Sequence, residues 1–362
     1  MRIAVIGAGA IGSAIGALLG RAGHEVTLVG RPAHIAAIRS AGLQVDCSLG
    51  SFTIALDATE RLEHRPDIAL VTTKTQDLQH AVLTNRAALA GVPVVVIHNG
   101  VRGWELATEV LPPCNVWSGV TLMIATYLVA GRVSLASHGW LLIGRASGPV
   151  DARTTALADV LKTALPTSIS NDILAAQWTK LIVNLNNAVG AMTGLDTADV
   201  VADCLLSRLS IGLMREGVQV AQRAGIRLAS LPDLSATQLQ LTLRLPLWLA
   251  VRLAARKARS VRVDGQVWGS TLQSLKRGQP TEIDYLNGEV VRLGRQVGIP
   301  TPLNAQVVAL IHEVERTGRY FRHGELRTLL PATGSGQLAF GWTPETVDRG
   351  DQERKPSQRY SS

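Results

Sequence analysis

The stretch Met1-Arg2-Ile3-Ala4-Val5-Ile6-Gly7-Ala8-Gly9-Ala10-Ile11-Gly12 decides how the rest of the chain is read. Ile3 to Ile6 form a short apolar run, as a buried strand requires. Ala10 to Ala22, closed by Gly23, reads as a helix, and Glu25-Val26-Thr27-Leu28-Val29 reads as a second strand. In such a strand-turn-helix the glycines have separate duties. Gly7 permits the turn, Gly9 lets backbone approach a pyrophosphate, and Gly12 lets the helix pack closely on the strand. With Ala10 and Ile11 they present the free N–H groups of a helix start to phosphates. The context of the spacing predicts a dinucleotide site, against the plainer reading of a structural turn.

The second strand ends without the acid that usually holds the ribose hydroxyls of NAD. It is followed instead by Gly30-Arg31. A cation with no carboxylate beside it suits a 2′-phosphate, so the expected cofactor is NADP, used as NADPH. The alternative is that Arg31 is a solvated surface residue in an arginine-rich chain.

Length and composition set outer bounds. A chain of 362 residues, 46% hydrophobic and 18% charged, is long enough for two domains and a well-buried core. The net charge of +8 raises the question of nucleic acid. However, the basic residues are scattered, and 30 of the 36 are arginine, which reads as a composition bias. Only Leu243 to Arg262 is locally basic, where a helix with snorkelling arginines explains the pattern better than a membrane or phosphate surface. Cys47, Cys114 and Cys204 lack metal or disulfide spacing and read as reduced thiols. The opening strand leaves no room for a signal peptide, and the Leu245 to Ala255 run, broken by Pro246 and Arg252, is too short for a membrane span. The expected setting is the cytoplasm, with no nucleic acid, no membrane and no metal.

Asp67 to Thr73 and Pro93 to Ile97 read as further buried parallel strands. Lys74 follows the first and His98-Asn99-Gly100 the second, at the carboxyl ends where open α/β sheets bind ligands. Strand-like segments from Val116 to Gly144 are expected to complete the sheet as antiparallel strands. Beyond them, helical periodicity runs over Asp172 to Met192, Asp203 to Ala224, Ala236 to Ala255, Ile283 to Val297 and Asn304 to Thr317. The expected fold class is α/β: a Rossmann-type doubly wound sheet over 1–167, then a mainly α-helical substrate and catalytic domain over 168–331. A polar tail over 332–362 is expected to be disordered.

Two places in the helical half attract chemistry. Lys180, Asn184 and Asn187 recur at i, i+4 and i+7 among apolar residues, which predicts a polar stripe facing solvent, another helix or a wet cleft. Lysine is scarce here, so Lys74 and Lys180 stand where a compact, titratable ammonium is useful. Glu282 lies in Thr281 to Asp284, whose capping-box spacing makes a helix-start residue the plain reading. Upstream, Gly269-Ser270-Thr271-Leu272-Gln273 offers hydroxyls to a ligand or a cap.

Taken together, the Gly7 to Gly12 turn, Lys74, the Asn99-Gly100 pair, Lys180-Leu-Ile-Val-Asn184 and Pro280-Thr-Glu-Ile-Asp-Tyr-Leu-Asn-Gly288 resemble the ketopantoate reductase (2-dehydropantoate 2-reductase) family, over roughly Met1 to Leu330. The resemblance implies NADPH-dependent reduction of a 2-oxo acid, ketopantoate to pantoate, in pantothenate and coenzyme A biosynthesis. It implies Lys180 as proton donor to the ketone and Glu282 as the acid that holds the substrate hydroxyl. Asn99, Asn184 and Ser270 match substrate-contacting positions, with Asn187 beside them. Lys74 and Asn99 match the cofactor side, with Gly7, Gly9, Ala10, Ile11, Gly12 and Arg31 carrying the dinucleotide. The implied partner is a small 2-oxo acid, and a homodimer is allowed.

Two positions depart from the family pattern. Ala188 stands where a second asparagine is common, with Asn187 one position earlier, and Ser274 stands where an aspartate is common. Both lie near the expected substrate end, so they bear on which 2-oxo acid is taken more than on the reaction. Two alternatives stay open: a paralogous reductase of another 2-oxo acid, and an idle dinucleotide-sensing protein.

Overall fold

The computed structural model describes residues 1–47, 50–137, 139–260 and 268–329, without the side chains of 257–260 and 329. The expected tail over 332–362 and the basic residue Arg262 lie outside them. The described residues include the strands β1 (Arg2–Ile6), β2 (Glu25–Val29), β3 (Leu43–Cys47), β4 (Gly50–Ile54), β5 (Asp57–Thr59), β6 (Ile68–Val71), β7 (Val94–Ile97), β8 (Val116–Thr121), β9 (Ile124–Val129), β10 (Arg132–Ser137), β11 (Leu141–Gly144) and β12 (Thr167–Ile169). Among them run helices α1 (Ala10–Arg21), α2 (Pro32–Ala41), α3 (Thr75–Thr84), α4 (Gly103–Thr108) and α5 (Ala152–Lys162).

Eight strands form one sheet in the order β12-β11-β8-β7-β6-β1-β2-β5. From β5 to β8 every pairing is parallel. The order reverses between β1 and β6, the switch point at which open α/β sheets take ligands. This bears out the doubly wound α/β expectation. Alternation along the strands feeds both faces of the sheet. Ile3, Val5, Leu28 and Leu70 pack with α1 and α2, while Ala4, Ile6, Val29 and Val71 pack with α3 and α4. Each fully buried Val, Leu or Ile side chain among them is worth about 1.5–3 kcal/mol.

The region from Val116 to Gly144 departs from expectation. β8 and β11 do join the main sheet, but β9 and β10 leave it. They pair instead with the β3–β4 hairpin in a separate four-stranded sheet, order β4-β3-β10-β9. Val133 and Leu135 of β10 sit in the same core as Leu43 and Val45 of β3, which the β3–β4 hairpin brings beside them. The main sheet also extends to Ile169, so its last strand straddles the expected boundary at 167.

The second half contains α6 (Ile173–Asn184), α7 (Asn187–Thr193), α8 (Thr197–Ala202), α9 (Cys204–Arg223), α10 (Ala236–Arg244), α11 (Leu247–Ser260), α12 (Ser270–Lys276), α13 (Asn287–Val297), α14 (Pro302–Thr317) and α15 (His323–Leu329). Three expected helices are divided. The one over Asp172 to Met192 breaks after Asn184, where the weak helix formers Asn186 and Asn187 follow. That over Ala236 to Ala255 breaks at Pro246, with Leu245 held extended before the ring. That over Ile283 to Val297 opens as a 3-10 turn at Ile283–Tyr285 before α13 begins. α14 starts at Pro302, earlier than expected, because the buried Glu216 carboxylate accepts from the Leu303 and Asn304 amides at 2.9 Å each.

Candidate active site

The parallel register brings the ends of three strands together. Ile6 is level with Val71, and Val71 with Val96. Gly7, Thr72 to Lys74 and His98 to Gly100 therefore emerge side by side. Gly7 has φ +105°, a conformation that L side chains rarely adopt, and a Cβ on it would lie 2.5 Å from the Thr73 amide nitrogen. A Cβ on Gly12 would overlap both the Gly7 carbonyl and the Thr72 hydroxyl. Gly9 differs, since the nearest atom to a Cβ there is 4.0 Å away. Its lack of a side chain serves no packing, so it leaves room above the amino end of α1. That end has no side-chain cap, which leaves the first-turn N–H groups directed outward. The cradle fits a pyrophosphate, and Arg31 and Lys74 border it with positive charge.

Lys74 spans the cleft. Its ammonium donates to Ser274 Oγ at 2.9 Å and to the Pro280 carbonyl. Burial pulls its pKa down, with the nearby Glu282 carboxylate opposing. Arg31 also reaches the helical half, donating to Gln279 Oε1 at 2.9 Å.

Glu282 does not serve the helix it begins. One carboxylate oxygen, Oε1, accepts from the Thr75 amide at 2.9 Å and from the Thr75 hydroxyl at 2.8 Å, so the acid caps the first turn of α3 in the other domain. Oε2 has a single long contact of 3.4 Å, from Asn99 Nδ2. The Asn99 carbonyl lies 3.1 Å from the same Thr75 hydroxyl and competes with Glu282 for its single proton. Glu282, Thr75 and Asn99 thus fasten the two halves beside the glycine turn, and Oε2 keeps acceptor capacity.

Lys180 lies on α6, partly buried, with no side-chain hydrogen bond among the described residues. Enough protein surrounds its ammonium that burial lowers its pKa to about 8, with Glu282 pulling it back up. His98 feels the same ammonium. It is 8% exposed, and neither ring nitrogen has a partner among the described residues. Burial first, and Lys180 second, lower it to about 3, so the imidazole is neutral at ordinary pH. Gly103 allows this placement, because a Cβ there would run into the ring.

The stripe is only partly realised. Asn184 closes α6 one turn after Lys180, but the break that follows puts Asn187 at the start of α7. There its side chain lies against Gly269, next to Ser270 at the start of α12. Ala188 is buried in the helical core and presents nothing polar. Among the described residues there is no group of three His, Cys, Asp or Glu that could hold a metal, and no helix long and apolar enough to cross a membrane.

Two family models match in order: Ketopantoate reductase PanE/ApbA over residues 3–148, and its C-terminal counterpart over 172–315. The chain belongs to the ketopantoate reductase family. It is therefore a member of an oxidoreductase family. A 2-dehydropantoate 2-reductase of Pyrococcus abyssi is 28% identical over 315 residues, 86% of this chain and 97% of that one. The crystal structure of a PanE/ApbA family ketopantoate reductase from Ralstonia eutropha JMP134 matches with TM-score 0.73 and 30% identity, over 87% of this chain and 99% of that one. The fold is shared more widely. A ternary structure of D-mandelate dehydrogenase with NADH and anilino(oxo)acetate superposes with TM-score 0.76 at 24% identity, over 88% and 99% of the two chains.

Sequence reading passed over three residues of this candidate site. Thr75 holds Glu282 yet looks like an ordinary helix start after Lys74. Gln279 orients Arg31 from 248 positions away. Arg277 lies within electrostatic reach of Arg31 and Lys74. Nothing local in the sequence marks the last two, since their roles depend on which loop crosses the cleft.

Proposed function

We propose that this protein reduces a small 2-oxo acid, ketopantoate in the first instance, to the 2-hydroxy acid at the expense of NADPH. The observation that carries the reading is Lys180. It is an ammonium with no side-chain hydrogen bond among the described residues, lowered to about 8, which feels a carboxylate fastened to the mouth of the glycine cradle. In this reading Gly7, Gly9, Ala10, Ile11 and Gly12 receive the pyrophosphate, and Arg31 and Lys74 supply cations to it and to the 2′-phosphate. When bound, the nicotinamide supplies the hydride.

The chain's own part is to hold the ketone and manage the proton. As the carbonyl carbon becomes saturated, negative charge grows on its oxygen. The Lys180 Nζ stabilises that charge and passes one proton to it, leaving a neutral amine that solvent recharges. Oε1 of Glu282 is occupied by Thr75, while Oε2 is free to accept from a substrate hydroxyl. Asn99, Asn184, Asn187 and Ser270 complete the polar lining. Cys47, Cys114 and Cys204 are free, which fits reaction in the cytoplasm, and a homodimer is compatible with the proposal.

The positions of Ala188 and Asn187 favour a second reading of the substrate, another 2-oxo acid, because they change the polar lining and leave Lys180 untouched. Following NADPH oxidation over a panel of 2-oxo acids that includes ketopantoate tests both. Turnover with ketopantoate well above the rest is the expected result. Turnover with none of them, by protein that binds NADPH, would favour an idle sensor.

A further inference from the structure

The cations at the cleft are unevenly supplied with acids. Lys74 has Glu282 and Asp77 within electrostatic reach. Arg277, at the carboxyl end of α12, has the cations Arg31 and Lys74 and the ionisable phenol of Tyr127 within electrostatic reach. Neither Arg31 nor Arg277 forms an ion pair among the described residues. Two guanidinium groups drawn together from different domains repel each other, and the repulsion is relieved by an anion between them.

The arrangement around them is built. Gln279, two residues past Arg277, accepts from Arg31 at 2.9 Å and holds its guanidinium against the 277–280 loop. Tyr127 of β9 packs its ring on His34, with centroids 4.9 Å apart. His34 is buried and is tied to Ser13 Oγ of α1 at 3.0 Å and to the Gly131 amide at 2.9 Å. The phenol is thus anchored to the helix that begins at the phosphate cradle, and burial keeps it in its neutral, donating form. Two guanidinium forks and a phenol O–H, with no carboxylate paired to them among the described residues, make a receptor for a phosphate monoester at the end of β2.

We propose that Arg277 and Arg31 close from opposite sides of the cleft on the 2′-phosphate of the adenosine ribose, so that the helical domain takes part in choosing the phosphorylated dinucleotide. This rests on the NADPH reading above and adds a residue to it. Cofactor selection is then coupled to domain closure, because the second arginine arrives only with the loop that also carries Glu282.

Titration calorimetry with 2′,5′-ADP and 5′-AMP separates the two claims without any turnover. The full-length wild type should bind 2′,5′-ADP far more tightly than 5′-AMP. Arg277→Gln should weaken 2′,5′-ADP by about 10- to 100-fold and leave 5′-AMP unchanged. Arg277→Lys, which keeps the charge but loses the fork, should fall between. If the wild type discriminates and Arg277→Gln binds both probes as before, or loses both equally, the role of Arg277 is refuted and the NADPH reading stands. If the wild type binds the two probes alike, both are refuted. A melting curve on each variant confirms that it is folded.

Discussion

The two walls of the cleft are made differently. The wall on the sheet side is backbone: three strand ends in register, a glycine turn whose missing side chains face Thr72 and Thr73, and the bare amino end of α1. The wall on the helical side is side chains. Ser274, Gln279 and Glu282 reach over to Lys74, Arg31 and Thr75, and Lys180 on α6 stands within electrostatic reach of Glu282. A backbone site is encoded by spacing within one short stretch. A side-chain site is encoded by packing among distant segments, so each of its residues looks ordinary where it stands. The first wall should therefore fail by unfolding and the second by losing chemistry.

The largest expected effect lies on the side-chain wall. Lys180→Ala should lower kcat by about 10²- to 10⁴-fold, the usual worth of a positioned proton donor. NADPH affinity should hold and the melting temperature should not drop, because burial disfavours the ammonium that is removed. As an acid, Lys180 works below its pKa, so wild-type kcat/KM should be level at lower pH and decline as pH rises through about 8. Near-normal turnover by the variant would remove Lys180 from the mechanism.

On the backbone wall, two neighbouring glycines should part company. In Gly12→Ala the added methyl meets the Gly7 carbonyl and the Thr72 hydroxyl, both anchored in the sheet, so a loss of about 1–3 kcal/mol in stability is expected. In Gly9→Ala the methyl meets nothing closer than the Gly7 carbonyl oxygen at 4.0 Å, so denaturant melts should match wild type while dinucleotide affinity falls. Equal stability losses in the two would mean that the turn is only structural.

What was legible follows the same division. The doubly wound sheet, its glycine turn and the strand-end position of Lys74 and Asn99 could be read because each depends on nearby residues. The second sheet could not, since β9 and β10 form an antiparallel pair that suits either sheet, and only a vacant partner in the β3–β4 hairpin decides between them. The break after Asn184 was hidden because the apolar period continues through Leu185 and Val189. Glu282 was the instructive ambiguity: the helix-start reading had the right physics, an acid at a helix amino end, but the helix it caps is α3, across the cleft.

That crossing yields a smaller test. Glu282→Gln keeps an oxygen for Thr75 but removes the charge that holds the Lys180 pKa up. The decline in kcat/KM should therefore move to lower pH than in wild type, and KM for a hydroxylated acid should rise. A profile that stays in place would mean the carboxylate acts on substrate alone.

The smallest expected effect probes the junction of the walls. Ser274 is buried and accepts from the Lys74 ammonium. Ser274→Asp would set a carboxylate beside that ammonium, offset its lowered pKa and cancel part of its field. Lys74 adjoins the pyrophosphate cradle, whereas neither Arg31 nor Arg277 forms an ion pair among the described residues. The substitution should thus weaken NADPH and NADH alike, by about two- to fivefold, in line with a partly exposed ion pair. A loss confined to NADPH would put Lys74 at the 2′-phosphate and shift the division of labour away from the arginines.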